Sequence, residues 1–163
     1  MSTDIHDYYV TGLRNQHAVE KQAIETIERQ LGRMEPFPEL HARMSTELSR
    51  TQGQRDRLEQ LLAKYDSKPS ALKSAVTSAV GSVSGLVHVA SEDEVVKNVL
   101  AAIGFKAYEI AAYKVLATLA EKAGAADDVS VLQQSAAEEQ EMGDWLGEHL
   151  PTIVQQHVAK LGA

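Results

Sequence analysis

Several rows of residues at helical spacing carry charge where apolar side chains belong. Leu13, Glu20, Ile24, Ile27 and Leu31 are spaced 7, 4, 3 and 4 apart, so Glu20 shares the apolar face of its helix. Between Met44 and Leu58 the apolar rhythm breaks, and the inward candidates there are Glu47, Arg50, Thr51 and Gln54. Ala102, Lys106, Glu109, Tyr113 and Leu116 form a third row. Leu132, Ser135, Glu139, Met142 and Leu146 form a fourth, with Glu138 replacing Glu139 if that helix is rotated. A buried charge is costly unless it is paired, metal-bound or neutralised. Glu20, Glu109 and Glu139, converging from three helices, would suit a hard or borderline cation. One glutamate on an apolar stripe usually sits at its edge with its head in water. The same pattern near the midpoint of four helices argues for convergence.

Four long segments must position these groups. The first runs from about Asp4 to Leu31, with Gly32 as its stop, and the second opens at Pro38, which suits a first helical turn. Lys68-Pro69 interrupts the second pattern. Between Ser70 and Ala90, Val76, Val80, Val83 and Val87 keep helical spacing and predict a short helical crossover. Ser91-Glu92-Asp93-Glu94 reads as a capping box opening the third helix, which extends to about Ala123-Gly124. The fourth follows Asp127-Asp128. Pro151 should kink or break it, although Ile153, Val154, His157, Val158 and Leu161 continue a face. The predicted fold is therefore all-α: one domain over residues 1–163, a four-helix bundle with a long crossover at about 67–91 and a helical extension after Pro151. Such a crossover lets the third helix run parallel to the second, as in ferritin-like folds.

Composition excludes several functions. The 163 residues contain no cysteine, which removes disulfides, thiol catalysis and cysteine-ligated metals. Against 23 Asp+Glu there are 16 Lys+Arg, a net charge of −7, which disfavours a nucleic-acid surface. The polar N-terminus lacks a signal peptide's pattern and no apolar run is long enough to span a membrane, so the expected setting is cytoplasmic. His17 and Glu20 lie three apart and could form a weak metal pair, but a polar flank is the better reading. Tyr8, Tyr9, Tyr108 and Tyr113 read as packing residues with edge hydroxyls. Tyr8, Tyr9, Trp145 and the segment after Pro151 suggest a homodimer surface.

The stretch Tyr108-Glu109-Ile110-Ala111-Ala112-Tyr113, continuing through Leu116-Ala117-Thr118-Leu119-Ala120-Glu121, resembles YciF-type ferritin-like proteins, a bacterial family. Val19-Glu20-Lys21-Gln22, Arg57-Leu58-Glu59-Gln60 and Glu138-Glu139 extend the resemblance over most of the chain. It implies a ferritin-like bundle, often dimeric, with a two-metal carboxylate site and a stress-associated role. By motif, Glu20, Glu109 and Glu138 or Glu139 match that family's metal-binding carboxylates. Three places depart from its pattern. Ser49-Arg50-Thr51 replaces Glu-Glu-Thr, Lys106-Ala107 replaces Glu-His, and Gly143 stands where an Asp is usual.

A di-metal site of this class uses four carboxylates and two histidines. The matched positions supply about three carboxylates and no histidine, while Arg50 and Lys106 add cations that cannot donate a lone pair. The resulting expectation is a non-catalytic bundle in which Arg50 and Lys106 replace the metal in a buried ion-pair network. No cofactor, nucleic acid or membrane is expected, and any small-molecule ligand is left open. The alternative is a di-iron or di-manganese protein with oxidase or peroxide-consuming activity.

Overall fold

The computed structural model describes residues 4–69 and 94–162. They form four helices: α1 (Ile5–Leu31), α2 (Pro38–Lys64), α3 (Glu94–Lys122) and α4 (Ala126–Leu161), with a 3-10 turn at Gly32–Met34 between the first two. No strand occurs among the described residues. No helix among them is long and apolar enough to cross a membrane.

Local chemistry sets the ends. Asp4 caps α1 by accepting the amide of His6 at 3.0 Å, and Pro38 occupies the first turn of α2, where a missing N–H costs nothing. After α2, Asp66 adopts φ 51° and the Ser67 amide reaches back to the Leu62 carbonyl at 3.1 Å. Gly124, at φ 76°, ends α3 in the same manner, with the Ala125 amide on the Ala120 carbonyl at 2.8 Å. The predicted crossover helix and the Ser91 capping contact lie outside the described residues.

Two apolar clusters fix the topology. One joins Tyr9 and Leu13 near the start of α1 to Leu58 and Leu62 near the end of α2, Leu116 and Ala120 late in α3, and Leu132 early in α4. The other joins Ile27, Leu40 and Met44 to Val99, Met142, Leu146 and Ile153 at the opposite end. The hairpins α1–α2 and α3–α4 are therefore antiparallel, while α2 and α3 run parallel, as a ferritin-like crossover requires. Burying a leucine such as Leu13, Leu132 or Leu146 contributes roughly 1.5–3 kcal/mol. The α1–α3 approach is close enough that a Cβ on Gly12 would lie 2.8 Å from Leu116 Cδ2.

Pro151 does not break or end α4: the helix runs on ten residues further to Leu161, through the segment whose apolar spacing continues a face. Pro151 and Gly147, the residue whose carbonyl loses its partner, are both exposed, so water can take up the freed bond.

Candidate functional site: a lysine among four buried glutamates

Between the two apolar clusters lies a buried polar layer to which every helix contributes. α1 supplies Gln16, His17 and Glu20; α2 supplies Glu47, Thr51 and Gln54; α3 supplies Lys106 and Glu109; α4 supplies Ser135 and Glu139. Lys106 sits at its centre. Its Nζ donates to Glu109 Oε2 at 2.9 Å and to Glu139 Oε2 at 2.6 Å, and lies 2.6 Å from Glu47 Oε1. Glu47, Glu109 and Glu139 side chains are at most 1% exposed. The stem of Lys106 runs beside Gly143, where a Cβ would stand 3.5 Å from that of Lys106.

Glu20 completes the layer without bonding the lysine. Its Oε1 accepts from the Tyr113 hydroxyl at 2.5 Å and from Gln16 Nε2 at 3.1 Å. Tyr113 is thus a fully buried donor to a carboxylate, and Tyr9 likewise donates to buried Asp128 at 3.0 Å. The expectation of edge hydroxyls fails for both, because each ring can enter the core only with its O–H satisfied.

Four carboxylates against one ammonium leave an excess of negative charge in a dry core, and proton affinity rises to compensate. Burial, reinforced by the charge of Glu139, pushes Glu20 up to about 7 although Tyr113 and Gln16 hold it down. Burial also pushes Glu109 up to about 7, against the attraction of Lys106. Burial and the charge of Glu109 push Glu139 up to about 8. Glu47 moves in the same direction through burial, tempered by Lys106. Burial opposes the charge on Lys106, but Glu109, Glu139 and Glu47 outweigh it and hold the ammonium well above its ordinary range. Glu109 and Glu139 converge on the same ammonium and titrate as a coupled pair.

Of the two cations expected inside, the structure places only Lys106 in the layer. Arg50 turns to the α2–α4 surface, where its Nη2 bonds Glu141 at 3.0 Å beside Arg43, which bonds the same carboxylate at 2.9 Å. The reason is geometric: Arg50 lies one turn from Glu47 and Gln54 on the outer side of their row. Its influence on Glu47 is a longer-range charge effect that lowers that carboxyl's proton affinity. Glu47 takes the inward place on α2. The sequence signal for it is the row Met44, Glu47, Thr51, Gln54 and Leu58, an unbroken 3-4-3-4 spacing.

The choice between Glu138 and Glu139 also resolves. Glu139 points inward, whereas Glu138 lines the α2–α4 seam, accepting from Gln54 at 3.1 Å and pairing with Arg57. His17 does not pair with Glu20: its Nε2 meets Glu59 Oε1 across α1–α2 at 2.9 Å. Trp145 is half-buried, stacked on His149 at 4.0 Å with the Arg43 guanidinium 5.6 Å from its ring.

The donor set does not fit the two-metal centre implied by the family resemblance. No histidine reaches the layer's centre, and an ammonium stands where the carboxylates converge. Among the described residues, no three His, Asp or Glu side chains are arranged to hold a metal ion.

Comparison with known proteins agrees with the fold. Protein XCC3681 from Xanthomonas campestris pv. campestris matches at a TM-score of 0.83 and 23% identity, over 99% of this chain and 100% of its own. The Escherichia coli stress protein YciF matches at 0.79 and 24%, over 95% and 99%. YcfI from Rhodopseudomonas palustris matches at 0.77 and 24%, over 89% and 94%. The family model described as "Domain of unknown function (DUF892)" matches residues 4–159. The chain belongs to the DUF892 family and has a YciF-like four-helix fold.

Proposed function

We propose that this protein is a non-catalytic bundle in which the Lys106 ammonium is the resident cation of a carboxylate layer. The observation that carries this reading is the position of Nζ within 2.9 Å of Glu47, Glu109 and Glu139, from three helices. A covalently attached cation cannot dissociate or change oxidation state, and its charge opposes entry of a divalent ion. The layer therefore ties the helices together instead of supporting turnover. It favours one register of α2, α3 and α4, because only that register brings Glu47, Glu109 and Glu139 together on the ammonium. The description of YciF as a stress protein supports placing this chain among proteins that act during stress through their fold or a binding surface.

The test is elemental analysis of protein expressed in iron- and manganese-supplemented medium, together with assays of oxygen and peroxide consumption. The reading expects substoichiometric metal and no turnover. Stoichiometric iron or manganese with peroxide consumption would establish a di-metal enzyme instead.

A further inference from the structure

Where α1 and α4 begin and α2 stops, two tyrosines share one carboxylate oxygen. Asp128, buried in the first turn of α4, accepts on Oδ2 from Tyr9 of α1 at 3.0 Å and from Tyr65, the residue that closes α2, at 2.5 Å. Lys64 pairs with its other oxygen. Tyr65 is half-buried, and its ring lies edge-on to His6 at 5.0 Å and to Tyr9 at 6.0 Å. Accessibility and bonding divide the tyrosines of the chain. Tyr9 and Tyr113 bond carboxylates but are fully buried. Tyr8 and Tyr108 reach the surface, but among the described residues neither bonds a carboxylate. Tyr65 combines an accessible ring with a proton acceptor already in place.

We propose that Tyr65 is a modification site for nitrogen dioxide, that Asp128 takes its phenolic proton, and that nitration there loosens the join between α1, α2 and α4. One nitrogen dioxide removes an electron from the ring and leaves as nitrite, while the phenolic proton crosses the hydrogen bond to Asp128 Oδ2. Asp128 is held below its ordinary proton affinity, yet an oxidised phenol is a far stronger acid than any carboxylic acid, so the transfer runs downhill. A second nitrogen dioxide then forms a C–N bond at the ring carbon beside the oxygen. The hydrogen from that carbon restores the hydroxyl, and nitrite and the first proton are the other products. A nitro group brings a phenol's ionisation close to neutral pH. Ionised nitrotyrosine has no proton to donate, and its oxygen would stand against the buried Asp128 carboxylate as a second anion. Tyr65 thus changes from a tie into a repulsion at the point where three helices meet.

The test exposes the full chain to nitrogen dioxide generated radiolytically from nitrite and maps the nitro group by peptide mass spectrometry. Tyr65 should take several-fold more label than Tyr8, although Tyr8 is the more exposed of the two. In concentrated urea that preference should vanish. Tetranitromethane, which attacks the phenolate, should reverse it, because burial and the bond to Asp128 oppose ionisation of Tyr65. Asp128→Asn, with helicity by circular dichroism retained, should lower nitrogen dioxide labelling of Tyr65 several-fold. Labelling that follows exposure, with Tyr8 first, would overturn the proposal, as would a preference for Tyr65 with both reagents. Nitrated protein should also have a lower urea midpoint than unmodified protein, by a margin that widens from the acid to the alkaline side of neutral. A margin of zero, or one independent of pH, would overturn the loosening.

Discussion

Lys106 Nζ lies 2.6 Å from Glu139 Oε2, joining α3 to α4 at the level where α1 and α2 bring Glu20 and Glu47. This contact divides the core into two apolar halves with a charged layer between them. Its consequences differ from those of the surface pairs nearby.

Lys106→Met should remove the layer's cation while keeping most of the stem. Breaking a buried network by deleting one partner costs roughly 3–5 kcal/mol. Urea unfolding at neutral pH should show a loss of that order. Arg50→Met, which removes an exposed pair with Glu141, should stay within about 1 kcal/mol. Equal losses in the two variants would show that the lysine is no centre.

Stability should fall as pH rises. Glu20 and Glu109 at about 7, and Glu139 at about 8, bind protons in the folded chain that the unfolded chain releases near 4.5. Their contribution is fully present below 4.5 and is lost as pH climbs through 7 and 8. Each such proton contributes a slope of about 1.4 kcal/mol per pH unit within that window. Urea midpoints at pH 5.5, 7 and 8.5, chosen as about evenly spaced points across the window, should decline in that order. A flat or rising series would contradict the assigned proton affinities.

Much of this layer was legible in the sequence because helical periodicity reports direction. Glu20, Lys106, Glu109 and Glu139 each sit in step with apolar neighbours, and the structure turns all four inward. Arg50 was misplaced because its row also contained Glu47, and the long arginine side chain can leave a helix flank for the surface. Partners across helices were less visible. Nothing local in the sequence brings His17 to Glu59, or Tyr9 to Asp128, since both pairings depend on the relative rotation of packed helices. At Pro151 the apolar spacing that continues beyond it is the better guide than the proline's backbone cost, which exposure of Pro151 and Gly147 reduces.

Tyr113→Phe should remove the donor that bonds Glu20 at 2.5 Å. A hydrogen bond to a charged group is worth about 1.5–3 kcal/mol. The variant should lose stability on that scale at a pH where Glu20 is ionised. It should also move the Glu20 titration upward from about 7, as read by carbon-13 NMR of its carboxyl. An unchanged titration would show that the hydroxyl does not stabilise the anion.

Asp128 should show the opposite pH sense. Its carboxylate is buried at the start of α4 and accepts from Tyr9 at 3.0 Å and Tyr65 at 2.5 Å, with Lys64 paired to it. Burial would raise its proton affinity, but these three donors outweigh that and hold it below its ordinary value of 3.8. Its contribution is present above 3.8 and lost as pH falls through the lower folded value. Asp128→Asn should therefore cost on the order of 1–3 kcal/mol at neutral pH and less in strong acid. A cost that grows towards low pH would contradict the assignment.

The most direct test of the central claim is an anomalous-scattering map from crystals of the full chain grown with excess manganese. The account predicts Lys106 Nζ density bounded by Glu47, Glu109 and Glu139, and no anomalous peak within the layer. A manganese peak among Glu20, Glu47, Glu109 and Glu139, with the lysine displaced, would contradict it.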